Sequence, residues 1–447
     1  MMAEIFATEL HPAQQAVWTE GSMEQYNAVR CGRRWGKTEF LCTIAVSYAT
    51  SLFPSTKNPN KLRGGRVGIF TAEYKQQQEI FDYLEEALEP LIKKKSRSDG
   101  RIRLKNGAHI DFWVTNNNKL AGRGREYDVV LIDEAAFTKS PEMLEEVWPK
   151  SIKPTLLTRR GSAWVFSTPN GIDENNFFYA ICHDPKHGFK EHYAPTSSNP
   201  FVPQDELEKE RKNNDPRVFD QEFLAIFIDW SKDALLDVKK LLVDDEPVAM
   251  PTTCDFIFAV MDTALKGGSE NDGTGTVYYA YEETYRKRAG LPPQLTIIDW
   301  DLTQIRASLL PEYMPGVYDN LERLAKICRP RFGSKGVFIE DAAMGAILAQ
   351  KAESEGWDMT PIDSALTGKG KDERAVLASG HHWLEKCKIA REAYDKTTTF
   401  KQNTANHLIK QIAGFHLADP AAHKRADDLL DCYVYGLILA FGNSDAL

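Results

Sequence analysis

The chain lacks a long apolar run. Its best stretch, Cys432–Phe441, is broken by Gly436 and is too short to cross a bilayer, so no membrane partner is expected. The opening MMAEIFATEL lacks the basic-then-apolar order of a signal peptide. Cysteine is sparse: Cys31, Cys42, Cys182, Cys254, Cys328, Cys387 and Cys432 are odd in number, scattered and without a CxxC pair. That argues against a disulfide framework or a thiolate zinc site and points to a reducing cytoplasm. Excess positive charge is missing too. The formal charge is −9, which excludes a wholly basic nucleic-acid coat but not a local basic stripe. Internal repeats and low-complexity tracts are absent.

What is present is ordinary globular material. The 447 residues are 42% apolar and 27% charged, enough for two or three domains of about 150 residues each. In residues 1–230, β-rich runs (Tyr26–Arg30, Arg66–Thr71, His109–Val114, Val129–Asp133, Ala163–Ser167) alternate with amphipathic stretches such as Tyr74–Lys94. This alternation predicts an α/β domain with a parallel sheet. Residues 231–251, with acidic residues and two prolines, read as a linker. Residues 252–447 carry strands at Phe256–Met261, Thr276–Tyr281, Leu295–Trp300 and Gly336–Glu340, with helices at Tyr318–Cys328 and Ala426–Ala440. That order predicts a mixed sheet with helices on its faces.

The strongest local signal is Cys31-Gly-Arg-Arg-Trp-Gly-Lys-Thr38, between a strand and the helix Glu39–Thr50. A phosphate-binding loop needs small residues so that backbone N–H groups can surround anionic oxygens. It also needs a Lys for the β/γ-phosphates and a hydroxyl for Mg²⁺. Gly36, Lys37 and Thr38 supply the end of this pattern; Cys31 stands where its first Gly is usual, and Gly32 comes one residue late. About 95 residues on, the apolar strand of Val129-Val-Leu-Ile-Asp-Glu-Ala135 ends in two carboxylates. Asp133 suits the Mg²⁺ shell and Glu134 an attacking water. Together the two motifs predict ATP hydrolysis. Gln14 is a candidate reader of the adenine edge, and Gly32, Arg33, Arg34 and Trp35 complete the loop. Ser167 and Thr168 are placed to sense the γ-phosphate. Arg33, Arg123 and Arg125 are candidate charge-stabilisers, acting in cis or from a neighbouring subunit.

A second constellation lies in the other half. Asp262 and Glu340-Asp341 end predicted strands, while Asp427, Asp428 and Asp431 open the last long helix at i,i+3 and i,i+4 spacing. Two strand-end acids and one helix acid can hold two Mg²⁺ or Mn²⁺ ions for in-line attack on a phosphodiester. Acidic residues are common, however, and helix N-termini favour Asp on their own account. His183, His187 and His192 lack a ligand frame and read as surface or packing residues. Lys93–Arg97 reads as a solvated helix end. Arg286, Lys287 and Arg288 form a basic hairpin tip, and Lys371 and Arg374 precede a helical segment; all five are candidate DNA contacts.

With both halves in view, the chain resembles the large terminase subunit of tailed bacteriophages. The likeness rests on CGRRWGKT, AGRGREYDVVLIDEAA, FSTPNG, QEFLAIFID, VMDTA, IEDAAMG, KDER and ADDLLDC, in this order. It implies an additional-strand, RecA-like P-loop ATPase domain followed by a ribonuclease H-like nuclease domain. It further implies ATP-driven translocation of double-stranded DNA into a procapsid, with metal-dependent cutting at the start and end. The implied partners are DNA, the small terminase subunit, the portal vertex and further copies of the chain in a ring, all in the cytoplasm of the infected bacterium. On the resemblance, Lys37, Thr38, Asp133 and Glu134 serve the ATPase. Asp262 and Glu340 take the first two metal positions, and Asp428 is favoured for the third with Asp431 as helper, although Ala426 stands where many relatives carry His. A helicase-nuclease of repair, or a nucleotide-gated assembly factor with an idle nuclease half, are the alternatives.

Overall fold

The computed structural model describes residues 9–58, 60–116, 118–138, 141–230, 234–263, 273–305, 309–340, 348, 352, 354–417, 419 and 426–442. The chain divides into two compact units, Met1–Arg211 with Pro216–Asp229 and Lys212–Asp215 with Trp230–Leu447. No helix among the described residues is long and apolar enough to cross a membrane.

The first unit carries β1 (Tyr26–Cys31), β2 (Leu52–Pro54), β3 (Leu62–Gly64), β4 (Arg66–Thr71), β5 (Ile92–Ser96), β6 (Arg101–Leu104), β7 (His109–Val114), β8 (Val129–Ile132), β9 (Ser162–Ser167) and β10 (Lys190–Ala194). β2 and β3 form a separate hairpin. The rest make one sheet in the order β10-β1-β9-β8-β4-β7-β6-β5. All pairs from β10 to β7 are parallel. Their continuous apolar runs reflect burial on both faces. Phe40, Leu41, Ile44 and Ala45 of the helix Lys37–Thr50 pack in one core with Trp164 and Phe166 of β9. β9 lies between β1 and β8, which is the additional strand that the resemblance implied.

One edge departs from expectation. The helix predicted over Tyr74–Lys94 ends at Leu88, and Glu89–Leu91 is a single 3-10 turn built on Pro90. Proline cannot continue the hydrogen-bond ladder and disfavours helix in the residue before it. The lysines read as a solvated helix end therefore lie on β5, antiparallel to β6. Lysine on an exposed edge blocks pairing with other chains.

The second unit carries β11 (Phe256–Asp262), β12 (Thr274–Glu282), β13 (Gln294–Thr303), β14 (Ser334–Glu340), β15 (Met359–Ile362) and β16 (Cys387–Ile389). Their order is β15-β14-β11-β12-β13-β16. β11, β12 and β13 form an antiparallel meander; β14 runs parallel to β11, and β15 parallel to β14. This is a ribonuclease H-like mixed sheet with β16 added parallel to β13. The helix Leu310–Cys328 packs Met314, Val317, Leu321 and Leu324 in one core with Ile257, Ala259 and Met261 of β11. The last helix, Asp428–Phe441, lies close to β12: a Cβ on Gly436 would come within 2.5 Å of the Tyr279 ring. The break in the apolar run is thus a packing requirement. Residues 234–251, read as a linker, pack on this unit. Leu235, Leu236 and Leu241 are buried, Val248 pairs with Ala390, and Lys388 Nζ donates to the carbonyls of Lys240 and Leu242.

Candidate active sites

The loop after β1 is held from two sides. Gly32 N–H donates to Ala194 O of β10 at 2.9 Å. A Cβ on Gly32 would stand 2.3 Å from both Phe223 O and Thr196 Oγ1, so glycine is required here. Cys31, one residue earlier, is simply the buried end of β1. Arg34 and Gly36 both take positive φ, +62° and +93°. Thr196 Oγ1 donates to Arg33 O (2.7 Å), Asn199 Nδ2 to Arg34 O (2.8 Å), and Trp35 Nε1 to Ser198 Oγ (3.0 Å). On the other side, His11 Nε2 meets Trp35 O at 3.0 Å and Gln14 Nε2 donates to Gly36 O at 3.0 Å. Gln14 Oε1 accepts from His11 N–H. The residue read as an adenine contact is therefore engaged at both ends, as a brace for the loop.

Lys37 opens the next helix and Thr38 follows it, half-buried. Lys37 Nζ is ion-paired with Glu134 and lies 3.4 Å from Thr168 Oγ1. Burial pulls the Lys37 pKa down, but the Glu134 and Asp133 carboxylates more than reverse this and hold it above the usual value. Asp133, at the end of β8, is pushed up to about 7 by burial and by Glu134, against the pull of Lys37. Glu134 sits in left-handed backbone at φ +49°, a conformation that costs a non-glycine residue and turns its carboxylate to Lys37. Ser167 Oγ reaches Glu134 Oε2 at 3.5 Å and accepts from Ala136 N–H at 3.0 Å. The ends of β1, β9 and β8 thus bring Lys37, Thr168, Ser167, Asp133 and Glu134 together, as the sequence anticipated.

The arginines fare differently. Arg33 joins the site but is paired with Glu222 of the helix Pro216–Glu222. Arg123 and Arg125 lie on an exposed loop. Arg125 stands over the Trp113 ring and 4.0 Å from Asp111, both on β7, two strands beyond β8. It is not brought to Lys37. The sequence missed the roles of His11 and Glu222, and of Thr196, Ser198 and Asn199, whose only signal is a polar stretch just beyond β10.

In the second unit, β11 and β14 are parallel neighbours with Met261 opposite Ile339, so Asp262 and Glu340 emerge side by side. The last helix starts at the same end: Gly273 N–H, just before β12, donates to Asp428 Oδ1 at 3.2 Å. Gln411 Oε1, another residue the sequence missed, accepts from Leu429 and Leu430 N–H and satisfies that helix end. Burial raises Asp262 well above the carboxylate range, reinforced by Asp431, Glu340 and Asp428 and opposed by Lys371. Burial and then Asp427 raise Asp428 to about 7. Lys371 Nζ pairs with Asp427 and, at 2.8 Å, with Asp431. Arg374 Nη2 meets Asp431 at 3.0 Å. Two side chains read as DNA contacts therefore neutralise helix acids. Asp341 and the rest of IEDAAMG after Glu340 lie outside the described residues.

Among the described residues, no three His, Cys, Asp or Glu side chains close on one point as a finished metal cage. The donor set nevertheless fits hard cations. It is all oxygen, its members repel one another, and Asp428 Oδ2 is buried with no hydrogen-bond partner. Arg286, Lys287 and Arg288 are not part of this end. They form a short helix, Thr284–Arg288, after β12 and so at the opposite end of the antiparallel β11–β12 pair. Arg286 Nε donates to Pro292 O, while Lys287 and Arg288 are exposed.

Residues 30–242 match the family described as terminase large subunit, T4likevirus-type, N-terminal. No curated protein matches the sequence. The large terminase of a thermophilic bacteriophage is similar in structure: 12% identity, TM-score 0.59, over 96% of this chain and 99% of that one. The same phage protein solved with ADP gives identical figures, and with ATP-gamma-S a TM-score of 0.57 at 12% identity and the same coverage. Residues 30–242 thus match the N-terminal family of large terminase subunits, and the two units together share the fold of a bacteriophage large terminase.

Proposed function

We propose that the first unit hydrolyses ATP to translocate double-stranded DNA into a procapsid and that the second cuts the DNA at the start and end of packaging. One observation supports this reading: each unit brings carboxylates and a lysine together at one end of its sheet, Asp133 and Glu134 with Lys37 in the first and Asp262, Asp428 and Asp431 with Lys371 in the second. In the first, the backbone N–H groups at the start of Lys37–Thr50 and Lys37 Nζ would take the β- and γ-phosphates. Release of Lys37 to phosphate would free Glu134 to accept a proton from the attacking water. Thr38 and Asp133 would hold Mg²⁺, which when bound neutralises phosphate charge. Ser167 and Thr168 touch Glu134 and Lys37, which suits a pair that reports hydrolysis to the rest of the unit. In the second unit, Asp262, Glu340 and Asp428 would hold two Mg²⁺ or Mn²⁺ ions, with Asp431 as helper, and such ions when bound stabilise both the attacking and leaving oxygens.

DNA, the small terminase subunit, the portal vertex and a ring of copies are the proposed partners, and the infected host cytoplasm the proposed location. In a ring, Arg123 or Arg125, both exposed on their loop, could reach a neighbour's site. A helicase-nuclease would need a second parallel RecA-like sheet, and the second sheet described is mixed. ATP-dependent packaging of DNA into purified procapsids is the direct test. Lys37→Ala should abolish packaging and DNA-stimulated ATPase while sparing Mn²⁺-dependent plasmid cutting, and Asp262→Ala should do the reverse for cutting. ATPase surviving in Lys37→Ala, or cutting undiminished in Asp262→Ala, overturns the corresponding half. An assembly factor with an idle nuclease would give no cutting in the wild type.

A further inference from the structure

Beside the helix end that carries Asp427 lies a cavity of about 530 Å³, within the range of roughly 300–1,000 Å³ typical of small-molecule sites. Lys371 and Asp427 line the side toward the carboxylates, and Phe400, Phe415 and Leu430 supply apolar wall. Lys401 and Lys410 stand at the exposed margin. Phe400 and Lys401 belong to a tight hairpin, β17 (Thr398–Phe400) and β18 (Asn403–Ala405). Its two turn residues, Lys401 and Gln402, have φ of +47° and +64°. His407 Nε2 meets the carbonyls of Thr398 (2.9 Å) and Asn403 (3.1 Å), which fixes the hairpin over the cavity.

Among the described residues neither Lys401 nor Lys410 has a carboxylate partner, and Lys401 Nζ lies 5.3 Å from the centroid of the Phe400 ring. Lys371, in contrast, is committed to Asp427 and Asp431. Apolar aromatic wall with cations unpaired to any carboxylate at its margin suits a planar group joined to an anion, which is the chemistry of a nucleotide. Paired bases stacked in a duplex cannot enter so small a space, whereas one unpaired base can. Unstacking costs a few kcal/mol, and least where the base is already single-stranded. We propose that the cavity receives an unpaired nucleotide of the DNA strand whose phosphate is presented to Asp262, Glu340 and Asp428. The base lies against Phe400 and Phe415 and its phosphate faces Lys401 and Lys410. This rests on the nuclease reading, and it makes the second unit selective for ends, overhangs and locally opened DNA.

The test uses the full chain without divalent metal, so that nothing is cut, and DNA carrying 2-aminopurine either in a 3-nucleotide overhang or inside a blunt duplex. The expected result is fluorescence quenching by the wild type on the overhang DNA only. Lys401→Glu combined with Lys410→Glu, both on the surface, should raise the overhang Kd about tenfold and leave the blunt-duplex Kd within about twofold. Equal weakening on both DNAs, or no weakening, overturns the cavity proposal, as does free dAMP displacing the probe with the same affinity as the overhang DNA. Mn²⁺-dependent cutting is assayed in parallel. Selective overhang binding without cutting of any DNA would overturn the nuclease reading instead, and cutting without selectivity would overturn only the cavity.

Discussion

Gln14 donates its side-chain amide to the Gly36 carbonyl at 3.0 Å and accepts the His11 N–H with its oxygen. The loop before Lys37–Thr50 is thereby tied to the helix Pro12–Gly21. Removing a buried hydrogen-bond partner costs about 1–3 kcal/mol. Gln14→Ala is therefore expected to raise KM for ATP and for GTP by similar factors, on the order of tenfold. Steady-state kinetics with both nucleotides checks this; a rise confined to ATP would mean that Gln14 reads adenine after all.

Arg33 is ion-paired with Glu222, yet it lies in the loop that would face the phosphates. A guanidinium that transfers from a carboxylate to the γ-phosphate stabilises charge in the transition state more than in the ground state. Arg33→Ala is expected to lower kcat by about 10³-fold with KM within a factor of about three. A large KM effect with kcat preserved would make Arg33 a ground-state phosphate binder.

Lys371 lowers the pKa of the buried Asp262 carboxyl that its neighbours raise. Lys371→Met removes that positive charge, so the proton is held to higher pH. The ionised form is the one that can ligate metal. The acid limb of the pH–rate profile for Mn²⁺-dependent cutting should then move up by roughly one unit. An unmoved limb, or one shifted to lower pH, would show that Lys371 does not tune this cluster.

His382 is buried between the Tyr433 hydroxyl (2.7 Å) and the Asp237 carbonyl (2.9 Å). Burial lowers its pKa from 6.5 to about 4. Between those values the unfolded chain binds a proton that the folded chain does not, so stability falls as pH falls through this window. The full effect is roughly 3 kcal/mol. Melting of the second unit should show a steep loss of Tm from pH 6.5 to 4, and His382→Gln should flatten that slope while lowering Tm near pH 7. An equally steep slope in the variant would move the effect to other groups.

Much of this molecule is local, and local features are legible in sequence. Apolar runs placed β1, β4, β7, β8 and β9, because parallel strands buried on both faces need no long-range information to be recognised. Strand-end acids and the loop before Lys37–Thr50 marked both sites for the same reason. Pairing between distant segments was not legible. Nothing near Gln14 announces Gly36, nothing near Arg33 announces Glu222, and nothing near Lys371 announces Asp427 and Asp431. Such partners are chosen by which elements the fold packs side by side, and a single sequence carries no record of that choice. By itself the sequence determined which residues carry the charge and at which strand ends they stand. Only the tertiary structure decided which of those charges are already neutralised by a neighbour, and a neutralised charge is held back from any ligand until something displaces its partner.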